Sequence, residues 1–243
     1  VVIDPTYPLE KAIKRIVFAK QTNAGQVCLN VDYVFVHESQ LEDFVRLTRN
    51  ITRKMVPDIN SKYFTSIIDE KSMVRLKETL GDAQQKGARL VNLSEQEINH
   101  EQNKFPMHLV LDPTPDMLVS QRETFGPIMT VRTYKDPQEV LQHIKAGERP
   151  LGLYIFSTNK KLVQRYISQT MSGGVSVNEV GLHASQDDLP FGGVGASGMG
   201  HYHGYDGFVS FSKMRPVFYQ ARYSLISLLT PPYKGRLKKA LDK

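Results

Sequence analysis

In the first stretch of the chain the apolar residues Leu9, Ala12, Ile13, Ile16 and Val17 recur at helical spacing. They follow the turn-forming Asp4-Pro5-Thr6-Tyr7-Pro8 and predict a helix from Leu9 to about Phe18. Tyr33 to Val36 reads as a short buried strand. Ser39 then opens a second helix whose apolar face is Leu41, Phe44, Val45, Leu47 and Ile51. A third helix is expected from Asp69 to Lys86, stopped by Gly87, with a strand from Arg89 to Leu93. His108 to Leu111 and Met117 to Val119 are short strand candidates separated by Pro113 and Pro115.

The second half alternates in period. Ile128 to Tyr134, Gly152 to Phe156 and Gly174 to Val177 read as strands, and Pro137 to Ala146 and Lys160 to Thr170 as helices between them. Strands separated by helical segments predict an α/β fold with a mostly parallel sheet and crossover helices. Past Asn178 the alternation stops. Gly181 to Gly207 reads as ordered loop, and Phe208 to Ser212 and Pro216 to Gln220 as a last pair of strands.

Of the 243 residues 40% are hydrophobic and 23% charged, which suits a soluble globular chain with one sizeable core. The net charge is +6, and much of the excess sits in the tail, where Lys234, Arg236, Lys238, Lys239 and Lys243 face only Asp242. No nucleic-acid motif accompanies these charges, so they read as a solvated tail and no nucleic-acid partner is expected. The apolar Ser224 to Leu229 is far shorter than the roughly 20 residues of a bilayer span. The opening Val-Val-Ile-Asp-Pro has neither methionine nor leader, and reads as a point inside a longer sequence.

The single cysteine, Cys28, excludes an internal disulfide or a multi-thiolate metal cage and suits the reducing cytoplasm. A lone cysteine is often just a small buried hydrophobe. Here Asn23, Gly25 and Gln26 are poor continuers of the preceding helix, so the chain is expected to break and set the sulfur at a loop or helix start, where N–H groups would stabilise a thiolate. Gly193-Val194-Gly195-Ala196-Ser197-Gly198 matches a dinucleotide fingerprint by letter, but Asp187-Asp188-Leu189-Pro190-Phe191 before it is no buried strand and no acid lies between Asp206 and Asp242. The glycines read instead as a tight loop. His183, His201 and His203 lack the spacing of a zinc helix, so no metal is expected, and the adjacent Asp187 and Asp188 do not make an acid–base pair.

Gly25-Gln26-Val27-Cys28, Glu123-Thr124-Phe125-Gly126-Pro127 and Pro190-Phe191-Gly192-Gly193-Val194-Gly195-Ala196-Ser197-Gly198, in this order, resemble the aldehyde dehydrogenase superfamily. The resemblance covers nearly the whole chain. Gly198-Met199-Gly200-His201-Tyr202-His203-Gly204 and Phe208-Val209-Ser210-Phe211-Ser212 look most like its class 3 and coniferyl aldehyde dehydrogenase branch. The resemblance implies that Cys28 is the catalytic nucleophile, that Glu123 and Phe125 contact the nicotinamide ribose, and that the cofactor is NAD or NADP. It further implies a small-molecule aldehyde, aromatic or of medium chain length, as substrate and a homo-oligomeric enzyme. Residues 1–207 would be the catalytic domain and 208–243 oligomerisation strands with a basic tail. The NAD(P)-binding domain, the general-base glutamate and the oxyanion asparagine would lie outside this sequence, leaving the isolated chain inactive. Two alternatives stay open: a cysteine hydrolase pairing Cys28 with one of the seven histidines, and a non-catalytic unit binding a partner or acidic membrane through its tail and Leu225, Ile226, Leu228 and Leu229.

Overall fold

In the computed structural model, residues 1–224, 226 and 230–232 are described. Leu225, Leu228, Leu229 and the basic tail from Lys234 to Lys243, for which binding roles were considered, lie outside them. The chain divides into two units, Val1–Ser210 and Phe211–Lys243.

In the first unit the strands are β1 (Val2–Ile3), β2 (Tyr33–His37), β3 (Arg89–Asn92), β4 (His108–Leu111), β5 (Ile128–Tyr134), β6 (Gly152–Phe156) and β7 (Gly174–Val177). They form one sheet in the order β3-β4-β5-β2-β1-β6-β7, parallel throughout except for the antiparallel β3–β4 pair. The helices are α1 (Leu9–Gln21), α2 (Leu41–Met55), α3 (Glu70–Gln85), the one-turn α4 (Leu118–Gln121), α5 (Pro137–Ala146), α6 (Lys160–Gln169) and α7 (Gly204–Ser210).

Helices cover both faces because strand side chains alternate and both sets are apolar. Along β2, Val34 and Val36 join the core under α1 and α2, while Phe35 joins the core under α5 and α6. Tyr154 and Phe156 of β6 go to the first core, Leu153 and Ile155 to the second. A third cluster lies under α3, built from Met73, Leu76, Leu80, Val110 and Ile128. Local chemistry starts the helices as the sequence suggests. Asp69 accepts from Ser72 N at 2.7 Å ahead of α3, and Asn159 accepts from Lys161 N and Leu162 N ahead of α6. Asp136 and Glu139 form a capping box around Pro137 at the start of α5.

The α/β fold with a mostly parallel sheet and crossover helices is therefore present, with four local differences. β1 is only two residues long, too short for periodicity to reveal, yet it sits between β2 and β6. A short 3-10 turn from Glu38 to Gln40 precedes α2, entered through a hydrogen bond from Ser39 N to His37 Nδ1, so Ser39 is not the cap of α2. Met117 to Val119 is not a strand. Met117 and Val119 are both buried, which mimics alternation, but the Asp82 carboxylate of α3 accepts from Leu118 N at 2.7 Å and starts α4 instead.

The expected closing pair of strands is also corrected. Gly204–Ser210 is helical, held by Gly207 N to His203 O at 2.9 Å and by Ser210 Oγ on the Asp206 carbonyl. Phe208 and Phe211 are exposed, so the segment lacks the buried apolar face a strand needs. Pro216 to Gln220 carries no strand either, and its Phe218 and Tyr219 face solvent.

Candidate active site

The thiol sits where α1 ends. Thr22 Oγ1 donates to the Phe18 carbonyl, and Asn23, Ala24 and Gly25 then take left-handed backbone angles (φ 51°, 51° and 76°). Three such residues in a row turn the chain sharply, and they are followed by a turn closed from Asn30 N to Val27 O at 2.9 Å. Cys28 lies in that turn with its side chain exposed. The break expected before Cys28 is there, and the sulfur sits on a loop rather than at a helix start.

Tertiary bonds from distant segments fix this turn. Gln26 reads the backbone at Ser66 and Ile68: Nε2 donates to Ser66 O at 3.1 Å and Oε1 accepts from Ile68 N at 2.9 Å. Tyr154 of β6 donates to Leu29 O at 2.8 Å. Burial, and secondly the proximity of Cys28, raise the Tyr154 pKa well above the usual phenol range, so it remains a donor. Asn30 Nδ2 donates to Gly25 O and lies 3.5 Å from Gly126 O. A Cβ on Gly25 would stand 2.3 Å from the Gly126 oxygen, so only glycine allows the cysteine turn to approach the Glu123–Pro127 segment this closely.

That segment leads into β5. Thr124 is fully buried, and its N and Oγ1 donate to Asp32 Oδ1 at 3.0 and 2.8 Å. Arg75 of α3 donates to the Thr124 and Phe125 carbonyls, the latter at 3.2 Å. Glu123 and Phe125, on either side, are exposed, and Phe125 has a positive φ of 42°. Partial shielding of Glu123, then the Asp32 carboxylate, raise its pKa above the ordinary glutamate value, while Lys20 and Arg75 pull it back. Lys20 is fully buried with Nζ 2.8 Å from Val31 O. Burial lowers its pKa to about 8, against the pull of Asp32 and Glu123. The structure thus joins the Cys28 turn to the segment bearing Glu123 and Phe125.

Beside the turn lies a cavity of about 500 Å³. Phe18, Ala19, Val27, Leu29, Met55 and Leu182 give it an apolar wall, and the Arg15–Glu179 ion pair, 2.8 Å long, closes one side. Val27 and Leu29, on either side of Cys28 in the chain, line the cavity, whereas Cys28 is not among its lining residues.

The other sequence candidates lie apart from this chemistry. The Gly193–Gly198 loop is tight, as read: a Cβ on Gly193 would meet Ser197 O at 2.1 Å, and Gly198 N bonds Gly195 O. His183 is buried, shares a 3.0 Å hydrogen bond with Ser176 through Nδ1 and packs near Phe191. Burial lowers its pKa. Among the described residues no histidine hydrogen-bonds Cys28, and no group of three His, Cys, Asp or Glu side chains could hold a metal. Sequence reasoning missed Gln26, Asn30, Asp32, Arg75 and Tyr154 as supports. Lys20 had a signal: it continues the spacing of Ile13, Ile16 and Val17 and so falls on the apolar face of α1.

Comparison with known proteins identifies the family. The pattern of the aldehyde dehydrogenase family matches residues 1–217. The chain is 40% identical over 243 residues to a probable coniferyl aldehyde dehydrogenase of Pseudomonas aeruginosa, covering all of this chain and 50% of that protein. It is 34% identical to the 4,4'-diaponeurosporen-aldehyde dehydrogenase of Staphylococcus aureus, over 98% of this chain and 51% of that one. The solved substrate-bound state of Staphylococcus aureus AldH superposes with a TM-score of 0.84 at 34% identity, covering 100% of this chain and 53% of the other. The chain spans about half the length of the curated relatives it matches. With its cysteine turn, its Glu-x-Phe-Gly-Pro segment and its sheet all in agreement, the chain belongs to the aldehyde dehydrogenase family.

Proposed function

We propose that this chain carries the nucleophile side of an NAD(P)-dependent aldehyde dehydrogenase that oxidises aromatic or medium-chain aldehydes of the coniferyl type to carboxylic acids. The observation that carries the reading is the packing of the Cys28 turn on the Glu123–Pro127 segment, through the Gly25–Gly126 approach and the bonds of Asn30. It brings the loop that carries the exposed Cys28 against the segment that carries the exposed Glu123 carboxylate and Phe125 ring. Residues 1–207 act as the catalytic domain in this reading, and the rest of the enzyme supplies the base and most of the cofactor site.

The Cys28 thiolate attacks the aldehyde carbon, and the carbonyl oxygen takes up the negative charge of a thiohemiacetal. Loss of hydride from that carbon leaves a thioester on Cys28, which water hydrolyses to the acid and the free thiol. NAD(P)+, when bound, supplies the hydride acceptor. The residues present fit its nicotinamide end: the exposed Glu123 carboxylate can accept hydrogen bonds from ribose hydroxyls, and Phe125 offers a ring beside them. The cavity lined by Val27 and Leu29 has a size and apolar lining suited to the body of a phenylpropenyl or medium-chain aldehyde. Its Arg15–Glu179 wall gives a polar end that a ring hydroxyl could meet.

Phe211, Phe218 and Tyr219 in the second unit expose large apolar surfaces, which supports a homo-oligomer with contacts beyond Ser210. A thiol that must stay reduced fits a cytoplasmic enzyme. No helix among the described residues is long and apolar enough to cross a membrane. The test is steady-state oxidation of coniferyl-type aldehydes by the full-length parent, followed as NAD(P)H absorbance, with mass spectrometry of acylated Cys28. Turnover should need NAD(P)+ and vanish in Cys28→Ala. Turnover retained in that variant, or independent of NAD(P)+, refutes the reading.

A further inference from the structure

Lys20 has no part in the reaction above, yet its side chain is fully buried between α1 and the sheet. Lysine is almost never fully buried unless something holds its charge. Its ammonium donates to Val31 O at 2.8 Å, and the charges of Asp32 and Glu123 hold its pKa up against burial. Asp32 is the residue on which the Glu123 segment hangs. Its side chain accepts from Thr124 N and Oγ1 at 3.0 and 2.8 Å, and its carbonyl accepts from Thr130 N at 3.0 Å. The connection is continuous: Lys20 grips the peptide before Asp32, Asp32 grips Thr124, and Glu123 is the next residue. Arg75, bound to the Thr124 and Phe125 carbonyls, is the other cation acting on Glu123.

We propose that Lys20 is a positioning residue for the cofactor side of the site, holding the Glu123 carboxylate in place beside the Cys28 turn through Val31, Asp32 and Thr124. This rests on reading Glu123 as the carboxylate that meets the cofactor. A lysine that merely filled space could be replaced by methionine without effect on Glu123, because the two are similar in length and volume and the exchange removes a buried charge. A positioning lysine cannot. Lys20→Met takes the donor from Val31 O and leaves two carboxylates opposed, with Arg75 alone to offset them.

The test compares wild type, Lys20→Met, Asp32→Asn and the double variant in the full-length parent, with two readouts. The first is the carboxyl carbon-13 titration of Glu123 in cofactor-free protein. In Lys20→Met it should move to higher pH, and in the double variant, where the like charge is also gone, it should move back down. The second is steady-state kinetics. KM for NAD(P)+ should rise about tenfold, the loss of one charge-assisted contact, while kcat and the rate of Cys28 alkylation stay within about threefold. An unmoved Glu123 titration, or a KM within about twofold of wild type, would overturn the proposal. Should Lys20→Met fail to fold, Asp32→Asn keeps the shape and the acceptor oxygen. Its Glu123 titration should move to lower pH, and no movement is equally fatal. A parent without NAD(P)+-dependent oxidation sinks the functional reading, but the cofactor-free titration still decides whether Lys20 acts on Glu123.

Discussion

Replacing Gly25 by alanine tests the contact on which the site is built. The new methyl would lie 2.3 Å from Gly126 O and 2.5 Å from Gly126 C, both backbone atoms that cannot rotate away. That is at least about 1 Å inside ordinary contact distance. Gly25 also has φ 76°, where a Cβ costs about 1–2 kcal/mol. Overpacking adds about 1–3 kcal/mol, so the expected loss of stability is about 2–5 kcal/mol. For a domain of this size that lowers Tm by about 5–15 °C. The remedy open to the chain is to slide the Cys28 turn away from Glu123–Pro127, and a displacement of about 1 Å at a reacting centre costs roughly 100-fold in rate. Circular-dichroism melts and kcat/KM for aldehyde oxidation, both on the full-length parent, measure the two effects. A Gly25→Ala protein with wild-type Tm and kcat/KM would show that the two segments do not meet as described.

Other outcomes are expected on the same grounds. Tyr154→Phe removes the donor to Leu29 O and should cost about 1–2 kcal/mol in urea unfolding, and an unchanged midpoint would refute that bond. Asp136→Ala removes the capping box of α5, remote from the thiol, and should cost about 1 kcal/mol while kcat/KM stays at the wild-type level. Burial depresses the Lys20 pKa to about 8 from the ordinary lysine value of 10.5, so the unfolded chain binds more protons between those values. Wild type should therefore gain stability relative to Lys20→Met as pH rises from 8 to 10.5, by about 3 kcal/mol in all. Denaturant unfolding of both proteins across that range checks it, and a flat difference would show that burial does not depress the Lys20 pKa.

The order of strands and helices was legible because buried strands and amphipathic helices differ in period, as Ile128 to Tyr134 and Pro137 to Ala146 illustrate. Cys28, Glu123 and Phe125 were named as candidates by motif resemblance alone, and the poor helix formers Asn23 and Gly25 signalled the break that follows Gln21. What stayed hidden was set by tertiary contact. Asp82 turned the strand-like Met117–Val119 into the start of α4, and β1 was too short to carry a pattern. The partners of Gln26, Asn30 and Asp32 lie 40, 96 and 92 residues away, where no local spacing can name them.

The anchoring of the cysteine turn also bears on how the protein folds. Its bonds reach Ser66, Gly126 and, through Leu29, Tyr154, the last a separation of 125 residues. Contacts across such long loops form late, after the chain entropy of closing them has been overcome. The turn that carries Cys28 is thus assembled by the finished sheet rather than by its own neighbourhood. During refolding, the environment of the Cys28 thiol should reach its native form only with the final docking of these segments, which makes this single sulfur a built-in clock for the last step of assembly.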